Sequence, residues 1–286
     1  MAVNFTSYQQ TVMAKELQVG HDENLVGVNF CNQNFIGDAM NAAAVTVNKI
    51  SGGTVKDYVA GADDNAESPT TTPVTVNIDH KKTIITTFDE VEGGQTADFG
   101  ELQTKRIYKD GVKLANEEDV TIFTEIAKAV KEPNVLGTDS VPLAITNAAS
   151  AMNVIRDLET KLDEANVPVE GRKLAMPPAF YNVITADPTY STAMSVSKNN
   201  ATGDMGTGFI GQLLSFDCYK TTNIPKTAGG KYQVIASHPD LNTLVPQQTF
   251  TKFKDGKGAS IDAVNVNVYG VKAIYDDSAK AIVDFQ

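Results

Sequence analysis

The sequence predicts an α+β fold, and three observations carry that expectation. Apolar and polar residues alternate on both sides of an acidic loop before residue 90, and again after residue 232, which is the period of strands. Between them, apolar residues recur at steps of three and four over residues 99–131 and 147–165, which is the period of helices. Strand and helix segments are grouped rather than interleaved, and no internal repeat is visible.

Residues 1–41 are polar with scattered apolar positions and no sustained period, and read as an extended arm. Ala42-Ala43-Ala44-Val45-Thr46-Val47 leads into a β-like stretch through Ile50 that Gly52 and Gly53 break. Residues 61–73 hold Asp63, Asp64, Glu67, Pro69 and Pro73 among threonines. Nothing there can be buried, and proline removes a ladder donor, so an exposed and mobile acidic tip is expected. Val74, Val76 and Ile78 then alternate with Thr75, Asn77 and Asp79, and Ile84, Ile85 and Phe88 extend the run. Together these segments predict a long two-stranded excursion.

Over residues 99–131, Ile107, Gly111, Leu114, Ile122 and Ile126 share a side with Phe123, Ala127 and Val130. The spacing predicts one helix of about 30 residues, roughly 45 Å long. Gly111 and Asn116 weaken it, and Asn116 with Asp119 offers a cap for a second helix, so a break there is the alternative. A further helix is predicted over residues 147–165, with the stripe Ala151, Val154, Ile155, Leu158, Leu162 and Ala165. Asp157 and Lys161 are placed to pair along it, and Asn166 and Pro168 end it. A short strand at 173–176, a proline-started helix through Ala186 and a polar loop at 195–205 follow. The tail reads as strands at 232–236, 244–253, 261–275 and 282–285, with strict alternation at Val264, Val266 and Val268.

Composition narrows the function classes. The 286 residues are 42% hydrophobic and 21% charged, enough for a sizeable core in one large domain or two interwoven ones. A net charge of −11 repels phosphate and argues against sequence-specific nucleic-acid binding. An acidic wall that does not hold its DNA tightly remains compatible. Cys31 and Cys218 are far apart and read as free thiols in a reducing compartment. No apolar run reaches the roughly 18 residues of a membrane span. Met1 to Gln10 has no basic, apolar leader pattern, so synthesis and assembly inside a cell are expected.

The catalytic motifs fail on context. Gly206, Gly208 and Gly211 match the dinucleotide fingerprint G-x-G-x-x-G, but a polar loop precedes them and β-like Phe216–Tyr219 follows. A glycine-rich turn into a strand is the better reading. His21, His80 and His238 stand in no metal-ligand spacing and read as surface or turn residues. Asp63–Asp64 and Asp276–Asp277 read as solvated turns. No catalytic residue, metal or cofactor is expected. Lys105, Lys109 and Lys113 recur at four-residue steps beside Arg106 and form one basic stripe on a helix. It is either a solvated face or an intersubunit or DNA-facing surface.

Three segments carry a family resemblance. The run Leu162-Asp163-Glu164-Ala165-Asn166-Val167-Pro168-Val169-Glu170-Gly171-Arg172 resembles the helix end of Hong Kong 97-type major capsid proteins of tailed phages, with a strand and a proline helix start after it. Gly208-Phe209-Ile210-Gly211 through Phe216-Asp217-Cys218-Tyr219 to Asn223-Ile224-Pro225 resembles that family's glycine turn and central strand, with Ser215 where glycine is common. The strand-rich tail with Tyr269-Gly270-Val271 is the third, and the order of elements fits nearly the whole chain.

The resemblance implies an N-terminal arm at 1–41 and an extended loop at 42–88 that reaches over a neighbouring subunit. It implies a peripheral domain at 89–140 and 243–286 with a long spine helix, and an axial domain at 141–242. It further implies hexamers and pentamers of an icosahedral shell in the virion, assembled in the bacterial cytoplasm around packaged double-stranded DNA. Scaffolding and portal proteins are expected as partners, and no membrane. The expected intersubunit residues are Asp63, Asp64 and Glu67 against Lys105, Lys109 and Lys113. An encapsulin-like nanocompartment shell is the alternative role for the same fold.

Overall fold

The structure is a computed structural model that describes residues 7–35, 42–50, 52–55, 57, 67, 68, 70–96, 98–200 and 207–285. Asp63, Asp64 and most of the acidic tip lie outside the described residues.

The first helix, α1 (Ser7–Asp22), lies where the sequence reads as an extended arm. Among its residues whose burial is described, the buried ones are Met13, Leu17, Gly20 and His21. Two of these four are not hydrophobic, so a count of apolar residues misses the period. The 3-10 turn Gly27–Phe30 follows. Strands β1 (Ala44–Ile50) and β2 (Thr71–Asn77) pair antiparallel as a hairpin whose base packs Val45, Val76 and Ile78 on Val245 and Ile274. The sequence continues that excursion through Phe88, but β3 (His80–Asp89) leaves the hairpin and pairs with a strand of the tail.

After the short α2 (Glu90–Gln95), the chain enters α3 (Phe99–Ala129). Its 31 residues run unbroken, about 46 Å at 1.5 Å per residue. Both helix-weakening residues are used by neighbours. A Cβ on Gly111 would collide with the Leu17 carbonyl of α1, so glycine lets the two helices touch backbone to backbone. Asn116 accepts a hydrogen bond from Asn223 at 2.8 Å. Asp119 starts no new helix and turns inward instead.

A mixed sheet follows, in the order β4 (Val135–Leu136), β12 (Ala279–Phe285), β9 (Tyr232–Ser237), β6 (Lys173–Met176), β8 (Phe216–Lys220) and β7 (Phe209–Leu213), with β5 (Leu143–Ile145) also on β12. Against it pack α4 (Ala148–Glu164), α5 (Pro178–Thr185) and α6 (Pro188–Asn200), and the core joins Ile155, Leu158 and Leu162 to Leu174, Phe180, Val234 and Val283. Asn147 and Ser150 form a reciprocal capping box that starts α4. Lys161 pairs with Glu164 at 2.7 Å rather than with Asp157, one turn nearer the helix end where a cation also faces unpaired carbonyls. The stretch from Ser195, read as a loop, stays helical to Asn200. Met194 anchors it in the core, and the Ser197 hydroxyl accepts from the Gln212 amide at 2.7 Å.

In the segment that ends α4, several residues act on one another. Asn166 takes φ 56° and reverses the chain, which lets the Val167 amide reach the Leu162 carbonyl. Gly171, at φ 82°, lies against the His238 ring. Arg172 is 1% exposed; it donates to the Val167 and Pro168 carbonyls at 2.6 and 2.9 Å and meets Asp163 at 2.7 Å.

The third layer is a three-stranded sheet of β10 (Asn242–Asp255), β11 (Ser260–Ala273) and β3, with a bulge where Pro246 interrupts the β10 ladder. One face of it, with Ala263, Asn265, Asn267 and Tyr269, is buried beneath α1 and α3.

The backbone contact at Gly111 reverses the usual sign of a helix substitution. In an exposed helix interior, glycine to alanine gains about 1 kcal/mol. Gly111→Ala should instead lose about 1–3 kcal/mol in denaturant unfolding, as overpacked sites do. Gly100→Ala, where an added Cβ meets nothing, is the control and should not lose stability.

Candidate functional site

The basic stripe lies on the side of α3 that faces away from the sheet. Lys105, Lys109 and Lys113 are all exposed. Lys105 meets Glu101 at 2.5 Å, and that pairing lowers the Glu101 pKa. Arg106 does not join the stripe: its guanidinium turns to the buried Asp110 at 3.3 Å. A groove of about 460 Å³ runs along the start of the stripe, lined by Asp98, Glu101, Leu102, Lys105, Arg106 and Lys109. Of the acidic counterpart only Glu67 is described. It is exposed and accepts from the Thr54 amide at 2.8 Å.

On the opposite side of the same unit is a second surface. Strand alternation that buries Asn265 and Asn267 turns Val264 and Val266 outward, both half-buried, while Val268 on the same face packs against the hairpin base. Ile85 pairs beside Val264 and is 55% exposed; Phe250 pairs beside Val266 and is 38% exposed. Lys81, Lys252 and Lys254 stand around this apolar strip. The hairpin carries exposed apolar residues as well, Ile50 at 66% and Val55 at 96%.

Between the two surfaces runs a buried polar seam that the sequence does not announce. Asp110 accepts from Thr86 at 2.8 Å and Asn265 at 3.0 Å. Glu118 pairs with the His21 ring at 2.9 Å and accepts from Asn267 at 2.6 Å. Asp119 accepts from the backbone amides of Gly27 and Val26 at 2.6 and 3.0 Å and from Asn223 at 3.1 Å. Burial pushes the Asp119 pKa up to about 6 against these donors. His21 and His238 are therefore not surface residues, being 6% and 9% exposed. His80 stacks on Tyr269 with ring centroids 5.2 Å apart.

The glycine run builds no cofactor cradle among the described residues. Gly206 lies outside them. Gly208 and Gly211 take φ 81° and 135° in and beside β7, which pairs antiparallel with β8, so a hairpin stands where the fingerprint requires strand, loop and helix. A Cβ on Gly211 would strike the Met194 carbonyl, so this glycine admits α6 rather than a phosphate. Leu214 takes φ 52° in the tight turn before Ser215 and Phe216. Among the described residues no group of three or more His, Cys, Asp or Glu could hold a metal, and no helix is long and apolar enough to cross a membrane.

No family model and no curated protein sequence matches the chain. Solved structures do. One from Mycobacterium phage Che8 superposes with a TM-score of 0.68 at 22% identity, over 92% of this chain and 91% of that one. The capsid of Ralstonia phage GP4 gives 0.64 at 11% identity, over 88% and 86%. A virus-like particle from Pyrococcus furiosus gives 0.54 at 13% identity, over 98% and 100%. The chain has the Hong Kong 97-type capsid fold.

Both thiols sit inside the capsid fold. Burial raises the pKa of Cys31, and raises that of Cys218 to about 12. Ellman's reagent at pH 8 should label neither cysteine in the native chain and both after denaturation, because only an accessible thiolate reacts.

Proposed function

We propose that the chain is a major capsid protein of a tailed double-stranded DNA phage. It assembles into hexamers and pentamers of an icosahedral shell around packaged DNA, with scaffolding and portal proteins as further partners. The observation that carries this reading is the superposition on phage capsid structures over about nine-tenths of the chain. The division proposed with it is an arm at 1–41, an extended loop at 42–88, a peripheral domain at 89–140 and 243–286, and an axial domain at 141–242. The shell is a structural component of the virion, without catalytic residues or cofactor. The encapsulin-like alternative shares the fold, and the higher TM-scores of the two phage structures favour the phage reading over it.

Surface chemistry supports the reading independently. An apolar sheet face of Val264, Val266, Ile85 and Phe250, and a hairpin with Ile50 and Val55 in solvent, are unfavourable in a monomer and gain when copies cover them. Electron microscopy of the purified chain, with a scaffolding partner if needed, should show closed shells. Val264→Asp with Val266→Asp should leave folded subunits by circular dichroism and abolish the shells. Stable monomer from the wild-type chain under both conditions would contradict the proposal.

The stripe of Lys105, Lys109 and Lys113 is proposed to meet another molecule in that shell. One partner is the acidic tip of a neighbour, with Asp63, Asp64 and Glu67 as counter-charge; the other is the packaged DNA. Replacing the three lysines by glutamate separates them. Loss of empty-shell assembly, rescued by lysine at positions 63, 64 and 67, identifies the tip. Normal shells that lose DNA, with a steep salt dependence in the wild type, identify the nucleic acid. No change in either quantity leaves the stripe a solvated face.

A further inference from the structure

The seam between α1, α3 and β11 contains one imidazole placed between carboxylates. His21 Nε2 lies 2.9 Å from Glu118 Oε2, and Nδ1 lies 3.1 Å from Asp22 Oδ1. A neutral imidazole has a single N–H and would turn a lone pair toward one of these oxygens, whereas the cation donates to both. Glu118 is 1% exposed, and its described neutral donor is Asn267, so the imidazolium supplies its counter-charge. A cavity of about 350 Å³ lined by His21, Asp22, Gln33, Glu118 and Thr249 gives the site a route for protons.

We propose that His21 makes α1 a proton-dependent latch on α3, docked while the imidazole is a cation and released when it is neutral. The inference does not depend on the shell reading. The ionisable surroundings are few. From α3 come Glu118 and Asp119, with Glu117 on the solvent side paired to Lys82 of β3 at 2.7 Å. From β11 comes the Tyr269 hydroxyl, bonded to Thr121, and from the 3-10 turn end the Cys31 thiol; burial raises both pKa values, so both stay neutral. On the α1 side stand Asp22 and Glu23, the latter accepting from Tyr108 at 3.1 Å. β10 contributes the neutral Thr249, whose carbonyl accepts from Gln18.

Burial opposes the imidazolium, but the hydrogen bonds and charges of Glu118 and then Asp22 outweigh it and hold the His21 pKa above its ordinary value. A group bound more tightly when protonated stabilises the docked state at low pH and loses that contribution as pH rises through its docked pKa. Asp119, which bonds the chain just after α1, is also raised, to about 6, and acts in the same direction. Over the range from pH 6 to pH 9, docking is therefore tightest at the acid end and weakens as pH rises through the raised His21 value. Release would uncover the apolar cluster that Met13 and Leu17 close over Ile107, Leu114 and Phe88.

Hydrogen exchange of the full chain from pH 6 to pH 9 tests this, corrected for intrinsic rates and referenced to β12. Protection of α1 should fall about ten-fold or more relative to β12 as pH rises, because local opening is what such exchange reads. His21→Gln should abolish that pH dependence. Since glutamine could undock α1 at every pH, His21→Lys is the second variant, and its retained cation should keep α1 protected at pH 9. Wild-type α1 protection that does not change relative to β12, an unaltered pH profile in His21→Gln, or release of α1 at pH 9 in His21→Lys would each overturn the latch.

Discussion

Three carboxylates on the buried side of one helix organise this molecule. Asp110, Glu118 and Asp119 of α3 are each at most 1% exposed. A buried carboxylate is tolerable only with donors around it, and those donors come from elsewhere in the chain. Asp110 draws on β3 and β11, Glu118 on α1 and β11, and Asp119 on the turn after α1 and the loop after β8. Helix α3 is therefore a hub whose polar contacts fix where the other elements sit. Apolar contacts such as Ile122 on Phe30 or Ile107 on Leu17 supply attraction without direction. A shift of α3 by one turn would strand all three charges, so the seam selects a single register.

That seam also explains which parts of the fold are legible in the sequence. Helix α4 has a wide apolar stripe, a capping pair and an Asn-Val-Pro stop, and each signal is local. Strand β11 shows its period in Val264, Val266 and Val268, but periodicity does not say which face is inside. Here the asparagines are inside, because Asp110 and Glu118 need their amides, and the valines are on the opposite face. Helix α1 fails the same kind of count, because Gly20 and His21 occupy half of its described buried positions. Their value depends on Tyr108, Gly111 and Glu118, about 90 residues away. The lysine stripe is legible as a pattern, yet Arg106 drops out of it only because Asp110 lies beneath. Contacts of long sequence separation carry the misreadings at α1 and β11, whereas the Lys161 pairing with Glu164 is a local choice.

The glycines show a related limit. G-x-G-x-x-G is a backbone requirement rather than a function, since it states that the chain turns and that something approaches closely. At Gly211 the approaching group is the Met194 carbonyl of α6. At Gly171 it is the His238 ring, and beside it Arg172 donates to the Val167 and Pro168 carbonyls of the loop that Asn166 turns. Only the elements on either side decide whether such a run faces a phosphate or another helix. A hairpin and a helix flank this one, and the space is filled.

The layering constrains how copies can meet if the chain builds a shell. The sheet of β3, β10 and β11 is one layer thick, with α3 on one side and solvent on the other. The lysine stripe and the valine face therefore point in opposite directions, and a single neighbouring hairpin cannot engage both. An acidic tip drawn to lysines gains at most about 1 kcal/mol for each exposed pair. Burying Ile50 or Val55 on the valine strip gains about 25 cal/mol for each Å² removed from water. Affinity would then come from the sheet side, with Lys81, Lys252 and Lys254 selecting an acidic partner, while the stripe on the helix side is left for weaker and more salt-sensitive contacts. A ring of copies within a shell also needs a heterologous contact, in which one face of a copy meets a different face of the next. Two dissimilar faces on one rigid unit, held in register by three buried acids, satisfy that requirement in a way that one sticky surface would not.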